Sequence, residues 1–260
     1  MIKKTALVTG ASYGIGYEFA KILASYGYDL ILLARTKSRL EEIRDEFNHI
    51  FKVNVHIIAC DLSQVGVSGD IYEYIRKMNL DIDILINNAG VGDWGPFVDS
   101  SVVKQERMLQ LNVVALTNLT HLLLPGMLKR KQGRILNVAS TAAFQPGPLM
   151  AVYFASKAYV LSFSSAIAKE LKGSGVSVTC LCPGPTATEF QKSTFTKEIR
   201  LNHGCKLSSS KDVAEYGFKA MLKGQVVAIH GFNNRLMALI VRFVPQWIVL
   251  RLVHFKQESI

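Results

Sequence analysis

The 260 residues are 49 % apolar and 19 % charged, which excludes a disordered chain and leaves enough length for one large buried core. The net charge is +10, yet no nucleic-acid motif and no basic helix with interleaved aromatics accompanies it. Three readings therefore stand for the charge: a solvated basic surface as the default, attraction to an anionic ligand such as a phosphorylated cofactor or an acyl-carrier protein, and last nucleic-acid binding.

In chain order, apolar and often β-branched runs alternate with segments of helical period. Strands are expected at Ala6–Thr9, Asp29–Leu33, Val53–Ala59, Ile82–Ile86, Arg134–Val138, Val176–Leu181 and Val226–His230. Helices are expected at Ile15–Ser25, Lys37–Phe47, Val65–Lys77, Val103–Leu128, Ala151–Leu171 and Lys211–Leu222. Such alternation specifies an α/β fold, a single Rossmann-like doubly wound parallel sheet of about seven strands with helices on both faces. One domain is expected over residues 1–231, followed by an apolar, arginine-interrupted extension over 232–260. The opening Met-Ile-Lys-Lys leads at once into a short strand and the turn glycine Gly10, too little apolar chain for a secretory signal, so a cytoplasmic location is expected. Cys60, Cys180, Cys182 and Cys205 lack metal-ligand spacing and fit free thiols in a reducing compartment; Cys180 and Cys182 are expected on opposite faces of their strand. The six histidines are scattered, and no metal is expected.

Ligands of such sheets bind beyond the carboxyl ends of the strands, and the unusual residues fall there. Thr9-Gly10-Ala11-Ser12-Tyr13-Gly14-Ile15-Gly16 joins the first strand to the first helix. Its glycines permit a tight turn and close approach of backbone to a pyrophosphate, with free helix N–H groups behind them. After the second strand the chain reads Leu33-Ala34-Arg35-Thr36. A carboxylate at this position would hold a ribose 2′-hydroxyl; Arg35 instead offers a guanidinium fork suited to a 2′-phosphate, with Arg39 as a weaker candidate on the helix surface. Tyr153 and Lys157 stand at i and i+4 on a helix and share a face. A nearby ammonium is expected to lower the tyrosine pKa from its ordinary value of about 10. Ser140, at the end of the fifth strand, can hydrogen-bond a carbonyl oxygen and the charge that develops on it.

These motifs, in this order, resemble the short-chain dehydrogenase/reductase family. The likeness runs from about Lys4 to Gly231 through the Thr-Gly-x-x-x-Gly-x-Gly turn, Asn87-Asn88-Ala89-Gly90, Asn112, Ser140, Tyr153-x-x-x-Lys157 and Pro183-Gly184. It implies NADPH-dependent reduction of a carbonyl to an alcohol, with Asn112, Ser140, Tyr153 and Lys157 as the catalytic set. Tyr153 would be the general acid in reduction, Lys157 would tune it and hold the nicotinamide ribose, and Asn112 would hold a water of the proton relay. The cofactor site would comprise Gly10, Ser12, Tyr13, Gly14, Ile15, Gly16, Arg35, Asp61, Leu62, Asn88, Ala89, Gly90, Tyr153, Lys157, Pro183, Gly184, Thr186 and Thr188. Asp61 would contact adenine, with an N-cap role as its alternative. Family members often carry a basic residue before the second glycine; here it is Tyr13.

The substrate is expected to be a small carbonyl or alcohol compound, apolar or acyl-like, because Trp94, Phe97 and the Phe144–Met150 loop are apolar. A 3-oxoacyl-carrier or 3-oxoacyl-CoA reductase is the alternative, and a non-enzymatic dinucleotide-binding scaffold a more distant one. A homodimer or homotetramer is expected. In the tail, Leu236, Leu239, Ile240 and Phe243 make a helical stripe, Pro245 interrupts it, and Arg235, Arg242 and Arg251 prevent any uncharged run near the roughly 20 residues that span a bilayer. The tail is expected to pack over the substrate pocket or core, with an oligomer interface or peripheral membrane contact as alternatives.

Overall fold

A computed structural model describes residues 4–194 and 207–258. Cys205, His203 and the middle of the 188–210 loop lie outside the described residues. Seven strands form one sheet: β1 (Thr5–Thr9), β2 (Asp29–Ala34), β3 (Val55–Ala59), β4 (Ile82–Asn87), β5 (Gly133–Val138), β6 (Val176–Cys182) and β7 (Val227–Ile229). Their order is β3-β2-β1-β4-β5-β6-β7, and every pairing is parallel. The winding reverses between β1 and β4, and a crevice opens beyond the strand ends at such a reversal.

Both faces of the sheet are covered, which is why the strands read as nearly continuous apolar runs. Along β1, Ala6 and Val8 join a core with α1 (Gly14–Ser25), α2 (Lys37–Phe51) and the helix Ser210–Leu222, through Phe19, Phe47 and Phe218. Leu7 points the other way, into a core with α3 (Val67–Lys77) and α5 (Leu116–Arg130), through Ile71, Leu119 and Met127. The period of two decides both memberships. That same period corrects the expectation for Cys180 and Cys182. Residues two apart on a strand share a face, and the two Sγ atoms lie 3.9 Å apart in one buried cluster with Val160.

The helix expected at Val103–Leu128 is a continuous run in three parts. It comprises α4 (Val102–Leu109), a π-helical turn at Gln110–Ala115, and α5 with Pro125 inside it. The wide turn contains Asn112. Such turns displace backbone bonds that a regular helix would close on itself and recur at functional sites. In the tail, helices Phe232–Ile240 and Gln246–Glu258 flank a break that contains Pro245.

Polar groups inside the core are cross-linked. Asn137 of β5 accepts from Nδ2 of Asn87 at 2.9 Å and donates to Oγ of Ser164 at 2.9 Å; Asn87 also donates to Thr120 at 3.1 Å. Replacing Asn137 by Ala strands two of these partners at about 1–3 kcal/mol, so thermal unfolding should shift down by on the order of 5 °C, as differential scanning calorimetry would show.

Candidate active site

A cavity of about 1320 Å³ lies over the carboxyl ends of the strands, lined by residues that range in the sequence from Gly10 to Gln257. One end is the glycine-rich turn. Gly10 has φ +65°, and a Cβ there would press on Asn88 and the backbone of Ala89. A Cβ at Gly16 would overlap the Gly10 carbonyl oxygen, so helix and strand close tightly only without one. The first turn of α1 has neither a side-chain cap nor an acidic residue, which leaves its N–H groups for an anion. Thr9 ties the turn to β4: its Oγ1 donates to Ile86 O and accepts from the N–H groups of Asn88 and Ala89 at 2.9 and 3.0 Å. Nδ2 of Asn88 donates back to the carbonyls of Thr9 and Gly10, both at 3.1 Å.

Gly10, Ser12, Tyr13, Gly14, Ile15, Arg35, Asp61, Leu62, Asn88, Ala89, Gly90, Pro183, Gly184, Thr186 and Thr188 all line this cavity, together with Ser140, Tyr153 and Lys157. Two expected residues stand behind the wall. Gly16 packs beneath Gly10. Asn112 is buried: its Oδ1 accepts from Val91 N at 3.0 Å, and its Nδ2 donates to Val91 O at 2.9 Å and to Ser156 Oγ at 3.1 Å. That side chain holds backbone and a neighbouring helix together.

Arg35 is exposed at the cavity edge. Beside it, Arg39 is not merely a surface residue. Its guanidinium carbon sits 5.5 Å from the Tyr13 ring centroid and 5.6 Å from that of Tyr17, and its Nε donates to Ser12 O at 3.4 Å. The tyrosine that replaces a basic residue in the turn thus carries a cation on its face. Asp61 does not cap a helix, since α3 begins only at Val67. Its Oδ1 accepts from the N–H and hydroxyl of Ser63, and its Oδ2 from Arg107 at 2.9 Å. Partial burial opposes its charge, but the Ser63 and Arg107 hydrogen bonds outweigh this and hold the carboxyl below its ordinary range. Arg107 and Lys104, both on the cavity wall, carried no signal in the sequence, because only the folded chain sets Arg107 against Asp61, 46 residues earlier, and Lys104 against Asp93.

At the other end, Ser140 hydrogen-bonds Tyr153 and accepts from Ala142 N at 3.1 Å. Lys157 is buried and donates to Val138 O at 2.9 Å; its Nζ stands 5.9 Å from the Tyr153 ring centroid. The expected lowering of the Tyr153 pKa does not occur. Burial pushes it up to about 12, and the Ser140 hydrogen bond offsets only part of this. Burial also pushes Lys157 down to about 8, against a smaller opposing pull from the Cys180 and Cys182 sulfurs. Both shifts oppose the charged forms, yet at neutral pH Lys157 still carries its proton while Tyr153 stays a neutral phenol. Phe190 lies 5.4 Å from the Tyr153 ring, an aromatic contact that no spacing in the sequence foretells.

The apolar wall also departs from expectation. Met150 lines the cavity, while Trp94 packs against Ala142 and Phe154 and Phe97 is 67 % exposed. The rest of that wall comes from the tail: Leu236, Met237, Ile240, Val241, Val244, Val249, Leu252 and Val253.

Burial of the Lys157 cation has a measurable cost. In the folded chain the ammonium is lost near pH 8, in the unfolded chain near 10.5, so the unfolded state binds more protons in that window and stability rises with pH across it. Lys157→Met should raise the thermal midpoint of the ligand-free chain at neutral pH, and its advantage should shrink as pH climbs from 8 toward 10.5. A pH series of melting curves on both chains checks this.

Among curated proteins, the very-long-chain 3-oxoacyl-CoA reductase of Homo sapiens is 32 % identical over 262 residues, covering 98 % of this chain and 80 % of that protein. The protein of the same name from Phaeosphaeria nodorum is 41 % identical over 182 residues, covering 68 % of this chain and 53 % of its own length. A solved short-chain dehydrogenase from Sphingobium yanoikuyae in complex with NADPH superposes with a TM-score of 0.83 at 32 % identity over 91 % of each chain. The bulky-bulky ketone specific alcohol dehydrogenase from Comamonas testosteroni does so at 0.79 with 28 % identity over 92 % of each. The reductases overturn the expected cytoplasmic location. They are named for very-long-chain acyl-CoA, and each acyl methylene adds about 0.8 kcal/mol to membrane partitioning, so the compounds in those names belong with membranes and not with the bulk cytosol. Two helical stretches here, Val102–Arg130 and Ala151–Glu170, are long and apolar enough to cross a bilayer, although both pack on the sheet and carry the site. A short chain dehydrogenase model matches residues 4–199, and with these relatives it shows that the chain belongs to the short-chain dehydrogenase/reductase family, as an oxidoreductase acting on a carbonyl or its alcohol.

Proposed function

We propose that this chain uses NADPH to reduce the 3-oxo group of long-chain acyl thioesters. The observation that carries the reading is one cavity with three parts: an uncapped helix N-terminus over a glycine cradle, a Ser140–Tyr153 pair, and an apolar wall built by the tail. The cradle fits a dinucleotide, since Gly10, Ser12, Gly14 and Ile15 line it and the N–H groups at the start of α1 are left uncapped. Arg35, with Arg39 on the face of Tyr13, suits a 2′-phosphate. Relatives named for 3-oxoacyl-CoA support the thioester, and the NADPH complex of a structural neighbour supports the cofactor.

When bound, NADPH supplies the hydride. Ser140 Oγ and the Tyr153 hydroxyl hold the carbonyl oxygen between them, and both donate to it as negative charge builds. Tyr153, protonated at neutral pH because burial holds its pKa near 12, gives its proton to that oxygen. The Lys157 ammonium steadies the phenolate that remains and returns a proton to it. Asn112 acts one layer back, where it anchors Val91 beside Gly90 and fixes Ser156 on α6 (Ala151–Glu170). Phe190 and the tail keep water from this step.

We also propose a homodimer through the outer faces of Val102–Arg130 and α6. Leu109, Leu128 and Tyr159 are about two-fifths exposed there, more apolar surface than a covered helix pair leaves. Light scattering over a dilution series should show a dimer that Tyr159→Glu splits.

Tyr153→Phe should cut the turnover of a 3-oxoacyl-CoA by about 10²–10⁴-fold while NADPH binding, followed by fluorescence titration, stays within a small factor. Unchanged turnover would overturn the mechanism. Arg35→Asp should move the ratio of NADPH to NADH affinity toward NADH by at least about tenfold, and Arg39→Ala should weaken NADPH binding while leaving NADH binding unaltered.

A further inference from the structure

The two tail helices have two faces with different chemistry. Inward, Met237, Val241, Val244, Val249 and Val253 line the cavity. Outward, Phe232 is 77 % exposed, Phe243 81 %, Trp247 67 % and Phe255 72 %. Phe243 and Trp247 bracket Pro245 at the break between the two helices, and Trp247, Arg251 and Phe255 follow at four-residue spacing along one exposed stripe. Residues 232–260 contain Arg235, Arg242, Arg251 and Lys256 against a single acidic side chain, Glu258, on a chain of net charge +10. Arg235 is engaged, donating to Ile229 O and Tyr216 Oη, both at 2.9 Å. Arg242 and Arg251 are exposed on either side of that break.

We infer that this two-helix tail is a docking element for an anionic lipid bilayer, and that it presents the mouth of the cavity to the acyl region. Aromatic rings at a helix break, flanked by arginines without acidic neighbours, match the interface of a negatively charged membrane: rings enter the headgroup boundary and guanidinium groups pair with phosphates. Leu236, Ile240 and Leu252 belong to both surfaces, since they line the cavity and are about half exposed or more. The apolar wall is therefore continuous from the cavity to the outer face, and an acyl chain can pass between bilayer and site without crossing water. This last step rests on the reading of the cavity as an acyl site; the docking does not.

The test uses the full chain with vesicles of phosphatidylcholine alone or mixed with phosphatidylserine. The chain should float with the anionic vesicles, and Trp247 emission should shift to the blue, whereas Trp94 already packs in the core. Phe243→Ser with Trp247→Ser, and separately Arg242→Glu with Arg251→Glu, should each weaken partitioning by about tenfold or more, the second pair chiefly at low salt. Both double variants should reduce a soluble short-chain ketone with NADPH as the parent does, since none of the four residues lines the cavity. Docking is overturned if the parent chain stays in solution with anionic vesicles. It is also overturned if the variants bind as the parent does, or if the aromatic substitutions instead split an oligomer, which would make a second copy the occupant. Vesicle binding by a chain that reduces no carbonyl would leave docking standing and sink the proposed function.

Discussion

All seven strands run in the same direction, and the site depends on that constraint. Parallel pairing puts every carboxyl end on one edge, so the residues that follow the strands meet there although they are spread from Gly10 to Pro183. The reversal of winding between β1 and β4 then parts the connecting helices and leaves the crevice open. Thr9 holds that reversal together, because one hydroxyl satisfies three backbone groups of β4 and the segment beyond it. Asn88 Nδ2 adds a second tie through the carbonyls of Thr9 and Gly10, and together they fix the spacing of the cradle and the Asn88–Gly90 wall.

Within the crevice, burial governs the chemistry more than proximity does. Tyr153 and Lys157 lie close, yet each is pushed toward its neutral form because the surrounding sheet and helices remove water. The result suits a reduction: a phenol that keeps its proton until an oxygen beside it becomes charged, and an amine whose ammonium is costly to hold until negative charge arrives. The chain carries that cost in the ligand-free state, a familiar trade between stability and function.

The tail extends the same logic from proton transfer to substrate handling. Its inner residues complete an apolar wall the core strands cannot supply, since their side chains are already spent on the two helical layers. Its outer residues Phe232, Phe243 and Trp247 are exposed among the described residues. The proposed reduction of lipid-like thioesters has use for both faces, and the curated relatives are named for very-long-chain acyl-CoA.

Much of this was legible in the residues themselves. Strand and helix alternation is written in period two and period 3.6, and turn chemistry marks Gly10, Gly14 and Gly16, because local sterics and local burial patterns are properties of short segments. The i, i+4 spacing of Tyr153 and Lys157 needs only one helix. What required the tertiary structure was every relation between distant segments. Arg39 reaches Tyr13, Arg107 reaches Asp61, and Phe190 covers Tyr153 only once the crossovers are folded. The pKa of Tyr153 moved opposite to its sequence expectation because desolvation is set by everything packed around a group, which no spacing of charges encodes. For the same reason the tail showed an apolar, arginine-interrupted pattern in the sequence, while which of its residues face the cavity and which face outward was decided by how its two helices pack.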